Sequence, residues 1–164
     1  MNPKQVVLVV CGYKNVGKTR LMNLLITAFS NKGYRVASIK HDGHDFDSDV
    51  RGTDSDQHHR AGAYASAIFS SSKWAMVQEE CVSLQEMISK FSEADLIFIE
   101  GCKSCRYPKI EVLRKGVSET LKEDPYRLAI VADFMIPEET VYVYEQPQKL
   151  LDLIQDYIEE VRHA

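Results

Sequence analysis

The chain has 164 residues, 45% hydrophobic and 27% charged, with eight Gly and five Pro. That is the balance of a globular protein, long enough to bury about 70% of the surface its unfolded form exposes, so its core needs no disulfide support. The 20 basic and 24 acidic residues leave a net charge of −4, which excludes a general nucleic-acid coat while leaving room for a local basic pocket.

Strand and helix signals alternate through the first 40 residues. Gln5–Val10 predicts a strand buried on both faces. Leu21, Leu24, Leu25, Ala28 and Phe29 recur at helical spacing and form one apolar stripe of a Lys18–Lys32 helix. Gly33 supplies the stop, and Val36–Ile39 returns as a second strand, closing a βαβ unit. Residues 40–53 then form a long polar loop with His41, His44, Asp45, Asp47, Asp49 and Gly52. Loops of this length in compact domains are mostly functional or disordered.

Asp54-x-x-Gln57 offers a capping start for a helix to about Ala63. His58 and His59 on it read as surface residues. Ala67–Ser70 and Trp74–Val77 predict a hairpin turning over Ser71–Lys73. Ser83-x-x-Glu86 opens a further helix with Leu84, Met87, Ile88 and Phe91 on one face. Asp95–Ile99 predicts a buried strand ending at Glu100-Gly101. Lys109–Leu113 and Leu128–Ala132 complete the strands, and a helix from Gln148 carries Leu150, Leu151, Ile154, Tyr157, Ile158 and Val161. This order predicts an α/β chain over residues 1–164, a single domain with a mostly parallel central sheet between layers of helices.

No segment reaches the roughly 20 consecutive apolar residues of a membrane span, and Val6–Val10 is too short for a signal-peptide core. Cys11, Cys81, Cys102 and Cys105 are irregularly spaced and read as reduced thiols, so a cytoplasmic location is expected. Cys102-Lys103-Ser104-Cys105 is an isolated CxxC. Zinc would need four ligands, and no second ligand pair lies nearby in sequence.

Chemistry concentrates at Gly12-Tyr13-Lys14-Asn15-Val16-Gly17-Lys18-Thr19, a GxxxxGK[ST] loop between a predicted strand and a predicted helix. Its glycines let backbone N–H groups turn inward toward phosphate oxygens, and the following helix adds its own N-terminal donors. Lys18 would reach the β- and γ-phosphates while the Thr19 hydroxyl ligates Mg²⁺. Glu100 ends a buried strand, the position from which a carboxylate faces the ligand crevice of an open α/β sheet. It would hold Mg²⁺ or orient an attacking water. Lys40 and His41, at another strand end, would face an anion, and Asp49 in the polar loop is a further Mg²⁺ candidate. The [NT]KxD tetrapeptide that selects guanine in many GTPases is absent. Asp133, after the last predicted core strand, is placed to accept hydrogen bonds from guanine N1–H and N2–H₂.

Together these blocks resemble the molybdopterin-guanine dinucleotide biosynthesis protein B (MobB) family. The resemblance rests on the P-loop and Ile39-Lys40-His41, on His44-Asp45, on Asp49-x-x-Gly52-x-Asp54-Ser55 and on Arg60-Ala61-Gly62-Ala63. Glu100-Gly101-x-Lys103 and Pro108-Lys109-Ile110-Glu111 extend it. It implies a P-loop NTPase three-layer fold and a GTP- and Mg²⁺-binding accessory protein with weak hydrolysis. It implies as partners the guanylyltransferase (MobA) that attaches GMP to the molybdenum cofactor and the molybdopterin cofactor itself, and it implies a homodimer. No nucleic-acid or membrane partner is expected. Carried over residue by residue, it places Lys18, Thr19 and Glu100 at phosphate and Mg²⁺, and Asp49, Gly52 and Asp54 in a loop facing the nucleotide. Lys40, His41, Lys103 and Arg114 fall around the mouth, where a pterin phosphate would bind. The chain departs from the family in its bulky Tyr13-Lys14-Asn15, in Arg51-Gly52-Thr53 and at Cys102. A small P-loop kinase or ligase acting on a metabolite is the alternative, although Arg106, Arg114 and Arg127 are scattered and form no evident lid. A nucleotide switch without useful turnover is the third reading.

Overall fold

The structure is a computed structural model, and it describes residues 5–43 and 50–163. Asp49, His44 and Asp45 lie outside the described residues. The chain divides into two compact units, Met1–His41 with Gln85–Ala164 and Asp42–Leu84.

The larger unit is built on a six-stranded sheet. Its strands are β1 (Val6–Gly12), β2 (Val36–Lys40), β5 (Leu96–Glu100), β6 (Lys109–Val112), β7 (Arg127–Val131) and β8 (Val141–Tyr142). They lie in the order β2-β5-β1-β6-β7-β8, and every neighbouring pair is parallel. Parallel strands need covering on both faces, which is why the central β1 and β5 read as nearly unbroken apolar runs. Val6, Leu8 and Val10 point to one face and pack with α1 (Lys18–Asn31) and α4 (Gln148–His163). From the opposite face Val7, Val9, Ile97 and Ile99 are buried as well. The predicted stripe of α1 buries Leu21, Leu25 and Phe29.

Helix α1 ends as its sequence requires. Gly33 takes φ +90°, its N–H bonds Ser30 O, and the Tyr34 N–H bonds Phe29 O at 3.1 Å. This is the two-bond left-handed cap that favours glycine. An edge-to-face contact between Phe29 and Tyr34, with centroids 5.7 Å apart, closes it on the apolar side. Helix α3 (Leu84–Ser89) is short and buries Ile88.

In the smaller unit, α2 (Asp54–Arg60) is capped by Thr53, whose side chain accepts from Asp56 N. The cap thus falls one residue before Asp54, because the hydroxyl reaches the N3 amide from the extended N-cap position. The helix also stops short of Ala63. Strands β3 (Ala65–Phe69) and β4 (Trp74–Gln78) form the antiparallel hairpin. His59 is less exposed than expected: its Nε2 meets Glu79 Oε1 at 2.7 Å with only 22% of the side chain exposed. Among the described residues no helix is long and apolar enough to cross a membrane.

Candidate functional site

Since all six strands run the same way, their carboxyl ends converge on one edge, where ligands bind in open α/β sheets. The chain leaves β1 toward β2 and β5 on one side and later fills β6, β7 and β8 on the other, so the crevice opens beyond β1. The P-loop lies there.

Gly12 has φ +149°, and a Cβ on it would lie 2.5 Å from Val112 O and 2.9 Å from Val16 Cγ2. Only glycine lets the loop leave β1 this close to β6. Asn15 (φ +66°) and Gly17 (φ +104°) complete the curl. Val16 is buried in the core beneath it, so its side chain anchors the loop. Lys18 Nζ donates to the Tyr13 carbonyl at 2.7 Å, which folds the ammonium back over the loop. Desolvation pulls the Lys18 pKa below the ordinary lysine value, against the opposing pull of Glu100. Burial also pushes the Cys11 thiol up to about 11, which keeps it neutral and unreactive.

Glu100 is paired in register with Val10 on β1 and Lys40 on β2. Its two carboxylate oxygens each lie 3.2 Å from Thr19 Oγ1, which donates to them. A strand-end carboxylate and a helix-start hydroxyl are thereby brought together across 81 residues of sequence. Both are hard oxygen donors, the kind Mg²⁺ takes in small number beside phosphate oxygens and water. The residues therefore fit Mg²⁺, which would neutralise phosphate charge when bound. Among the described residues no cluster of three or more His, Cys, Asp or Glu side chains could hold a metal by itself, and the four cysteines are free.

Lys14, Asn15, Gly17, Lys18, Thr19, Glu100 and Arg114 line a cavity of about 420 Å³. Tyr13 stands at its margin with Lys103 Nζ 3.7 Å above its ring, a cation–π contact. Lys40 and His41 reach the same sheet edge but not the cavity lining. The His41 N–H bonds the Glu100 carbonyl at 2.9 Å, and Gly101 (φ +101°) passes so close that a Cβ would meet His41 O at 2.7 Å.

A second cavity, about 210 Å³, adjoins the loop and is lined by Val16, Gly17, Arg20, Leu113, Arg114, Asp133, Tyr144 and Glu145. Asp133 is there as expected, but its Oδ1 already accepts the Lys115 N–H at 2.8 Å. Tyr144, which the sequence reading missed, donates its hydroxyl to the Gly17 carbonyl at 2.9 Å, and the Arg20 guanidinium stacks 4.3 Å from its ring centre. Arg114 is the one of the three scattered arginines that lines a cavity at the P-loop. Arg127 instead pairs with Glu111 and Glu139 at the start of β7.

A parallel sheet in this order, a glycine loop leaving its inner strand and a carboxylate ending the next strand define the P-loop NTPase class of fold. Residues 7–133 match the family of molybdopterin guanine dinucleotide synthesis protein B, and the chain belongs to that family. It is 35% identical over 135 residues to the molybdopterin-guanine dinucleotide biosynthesis adapter protein of Escherichia coli, covering 77% of each chain. To the adapter protein of Haemophilus influenzae it is 32% identical, covering 99% of this chain and 93% of that one. The crystal structure of Bacillus subtilis MobB superposes with a TM-score of 0.73 at 23% identity, over 92% of this chain and 96% of that one. A MobB homolog from Bacillus stearothermophilus gives 0.69 at 20%, over 98% and 99%.

Proposed function

We propose that this chain is an accessory protein of molybdopterin guanine dinucleotide biosynthesis that binds GTP with Mg²⁺ and hydrolyses it weakly at most. The observation that carries the nucleotide reading is the meeting of Thr19 and Glu100 beside Lys18 in a cavity whose other charged groups, Lys14 and Arg114, are cationic. In this reading the P-loop amides and Lys18 cradle the phosphates. Thr19 and Glu100 hold Mg²⁺. The adjoining cavity takes the base, with Asp133 Oδ2 toward guanine and the Arg20–Tyr144 stack as its wall. Lys40, His41 and Lys103 would meet an anionic group of the molybdopterin at the mouth.

The names of the relatives support the accessory role. The guanylyltransferase is then the partner protein and the cytoplasm the compartment, with the chain acting as a single nucleotide-binding domain. The hairpin supports a homodimer: Phe69, 84% exposed, pairs with Trp74, 74% exposed, and the exposed Met76 lies on the same face. Contiguous apolar surface of this kind marks an interaction site.

Thermal unfolding tests the nucleotide reading. GTP with Mg²⁺ raises the melting temperature more than ATP with Mg²⁺ does, since only the binding state is stabilised, and Lys18→Ala abolishes both shifts. An equal or larger shift with ATP defeats the guanine assignment.

A further inference from the structure

Arg114 stands where the two cavities meet, lining both. It begins the turn that follows β6, and that turn is held without its side chain. Arg114 N bonds Ser118 O at 3.1 Å and Ser118 N bonds Arg114 O at 2.9 Å. Lys115 N bonds Asp133 Oδ1 at 2.8 Å, and Gly116 N bonds Glu119 Oε1 at 2.6 Å. From this fixed base the guanidinium Nη1 donates to the Asn15 carbonyl at 3.2 Å, 99 residues away in sequence. That bond uses one of five N–H donors in a planar fork. Among the described residues no carboxylate forms an ion pair with Arg114, in contrast to Arg127.

We propose that Arg114 is a phosphate-binding residue that makes this site prefer a nucleoside triphosphate to a diphosphate. The inference rests on the polyphosphate reading of the P-loop. Three cations and one carboxylate line the cavity, so removing one cation penalises most the ligand with most negative charge to neutralise. The guanidinium is suited to this because its fork spans two phosphate oxygens where an ammonium meets one. Its bond to the Asn15 carbonyl already restrains the side chain, so less freedom is lost when the remaining donors engage. Asp133 then acts as a positioning residue, fastening the arginine-bearing turn through the Lys115 amide.

The competing role for Arg114 is to brace the P-loop through the Asn15 carbonyl alone. Bracing would weaken di- and triphosphate alike, and a lysine could supply the single donor. Calorimetric titration of the full chain separates the two. Its ligands are GTP, GDP, tripolyphosphate and pyrophosphate, each with Mg²⁺, applied to wild type, Arg114→Ala, Arg114→Lys and Lys18→Ala. Arg114→Ala weakens GTP and tripolyphosphate by about tenfold or more, the scale of a lost charge-assisted hydrogen bond. GDP and pyrophosphate fall much less, and Arg114→Lys restores little. Equal losses for tri- and diphosphate, or full rescue by lysine, overturn the proposal. If wild type binds the inorganic ligands but not the nucleotides, the guanine reading fails while the inorganic pair still judges Arg114. If Lys18→Ala leaves all four affinities unchanged, the polyphosphate reading falls and this proposal with it.

Discussion

Two cavities of the same volume, about 420 Å³, lie at the carboxyl ends of the strands and along β7 with the segment leading into β8, and the cations near them are used oppositely. At the amino-terminal ends of β6 and β7, cations are spent on neighbours. Lys109 Nζ lies 2.8 Å from Asp124, Arg127 Nε lies 3.0 Å from Glu111, and Arg127 Nη1 reaches Glu139 at 4.0 Å. At the carboxyl ends, Lys18 and Arg114 donate to backbone carbonyls of the loop. A cation bonded to a neutral carbonyl keeps its charge for a ligand; a cation paired with a carboxylate has largely lost it. Cavity size alone would not tell the two apart, but the partners of the cations do.

Substitutions should separate the ends. The largest effect falls on stability at the paired end. Lys109 is 3% exposed, and Lys109→Ala leaves the partly buried Asp124 without its cation, costing about 3 kcal/mol in urea unfolding. The GTP-induced thermal shift of the variant, measured where it is folded, stays as in wild type; loss of that shift would erase the distinction between the ends. A smaller effect is expected beside the P-loop. Tyr144→Phe removes the hydroxyl that donates to the Gly17 carbonyl, and costs about 1 kcal/mol of stability or less, with a matching small loss of GTP affinity. An affinity that stays unchanged would show the loop to be held without that bond.

The most graded probe is pH. Its neighbour Lys109 holds the Asp124 carboxyl below the usual carboxylate range. Its folded pKa is thus below its unfolded one, so its stabilisation is present above the unfolded value and is lost as pH falls through the folded one. Acid therefore weakens the paired end, read as a falling melting temperature that Lys109→Ala blunts. Alkali acts on binding instead. Phosphate favours the charged form of Lys18, whose pKa burial lowers, so GTP affinity declines with rising pH earlier than an ordinary lysine would dictate. A titration showing no decline below the ordinary lysine range would remove Lys18 from the phosphates.

What was legible in advance followed from burial. β1 and β5 are buried on both faces and read as apolar runs; α1 and α4 are buried along one stripe and show helical spacing. The P-loop was legible because its chemistry lies in consecutive residues, and Glu100 because it ends an apolar run. Tyr144 was not. It follows β8, a two-residue strand too short for any periodicity, and its partner Gly17 is 127 positions away. Spacing alone could not tell Arg114 from Arg127; only the family resemblance put Arg114 at the mouth, and the physical difference is the carbonyl beside the one and the carboxylates beside the other. Asp133 shows the limit from the other side: its place at the cavity was readable, but the bond to Lys115 N depends on how the turn after β6 folds back. Thr53 was passed over for Asp54 because both residue types cap helices, and only the extended backbone at 53 decides between them.

The packing of Gly12 against β6 has a consequence for selection experiments. Any side chain there would have to displace the Val112 carbonyl inside the sheet, so position 12 answers to folding before it answers to nucleotide. Lys14 is exposed and Lys18 partly so, and each can be lost without disturbing the core. In a mutational library scored for protein abundance alone, position 12 would be depleted of every residue but glycine, while 14 and 18 would drift. Only a selection for cofactor maturation would make the two lysines immobile as well. One loop would thus be policed by two filters, with the dividing line falling between neighbouring residues.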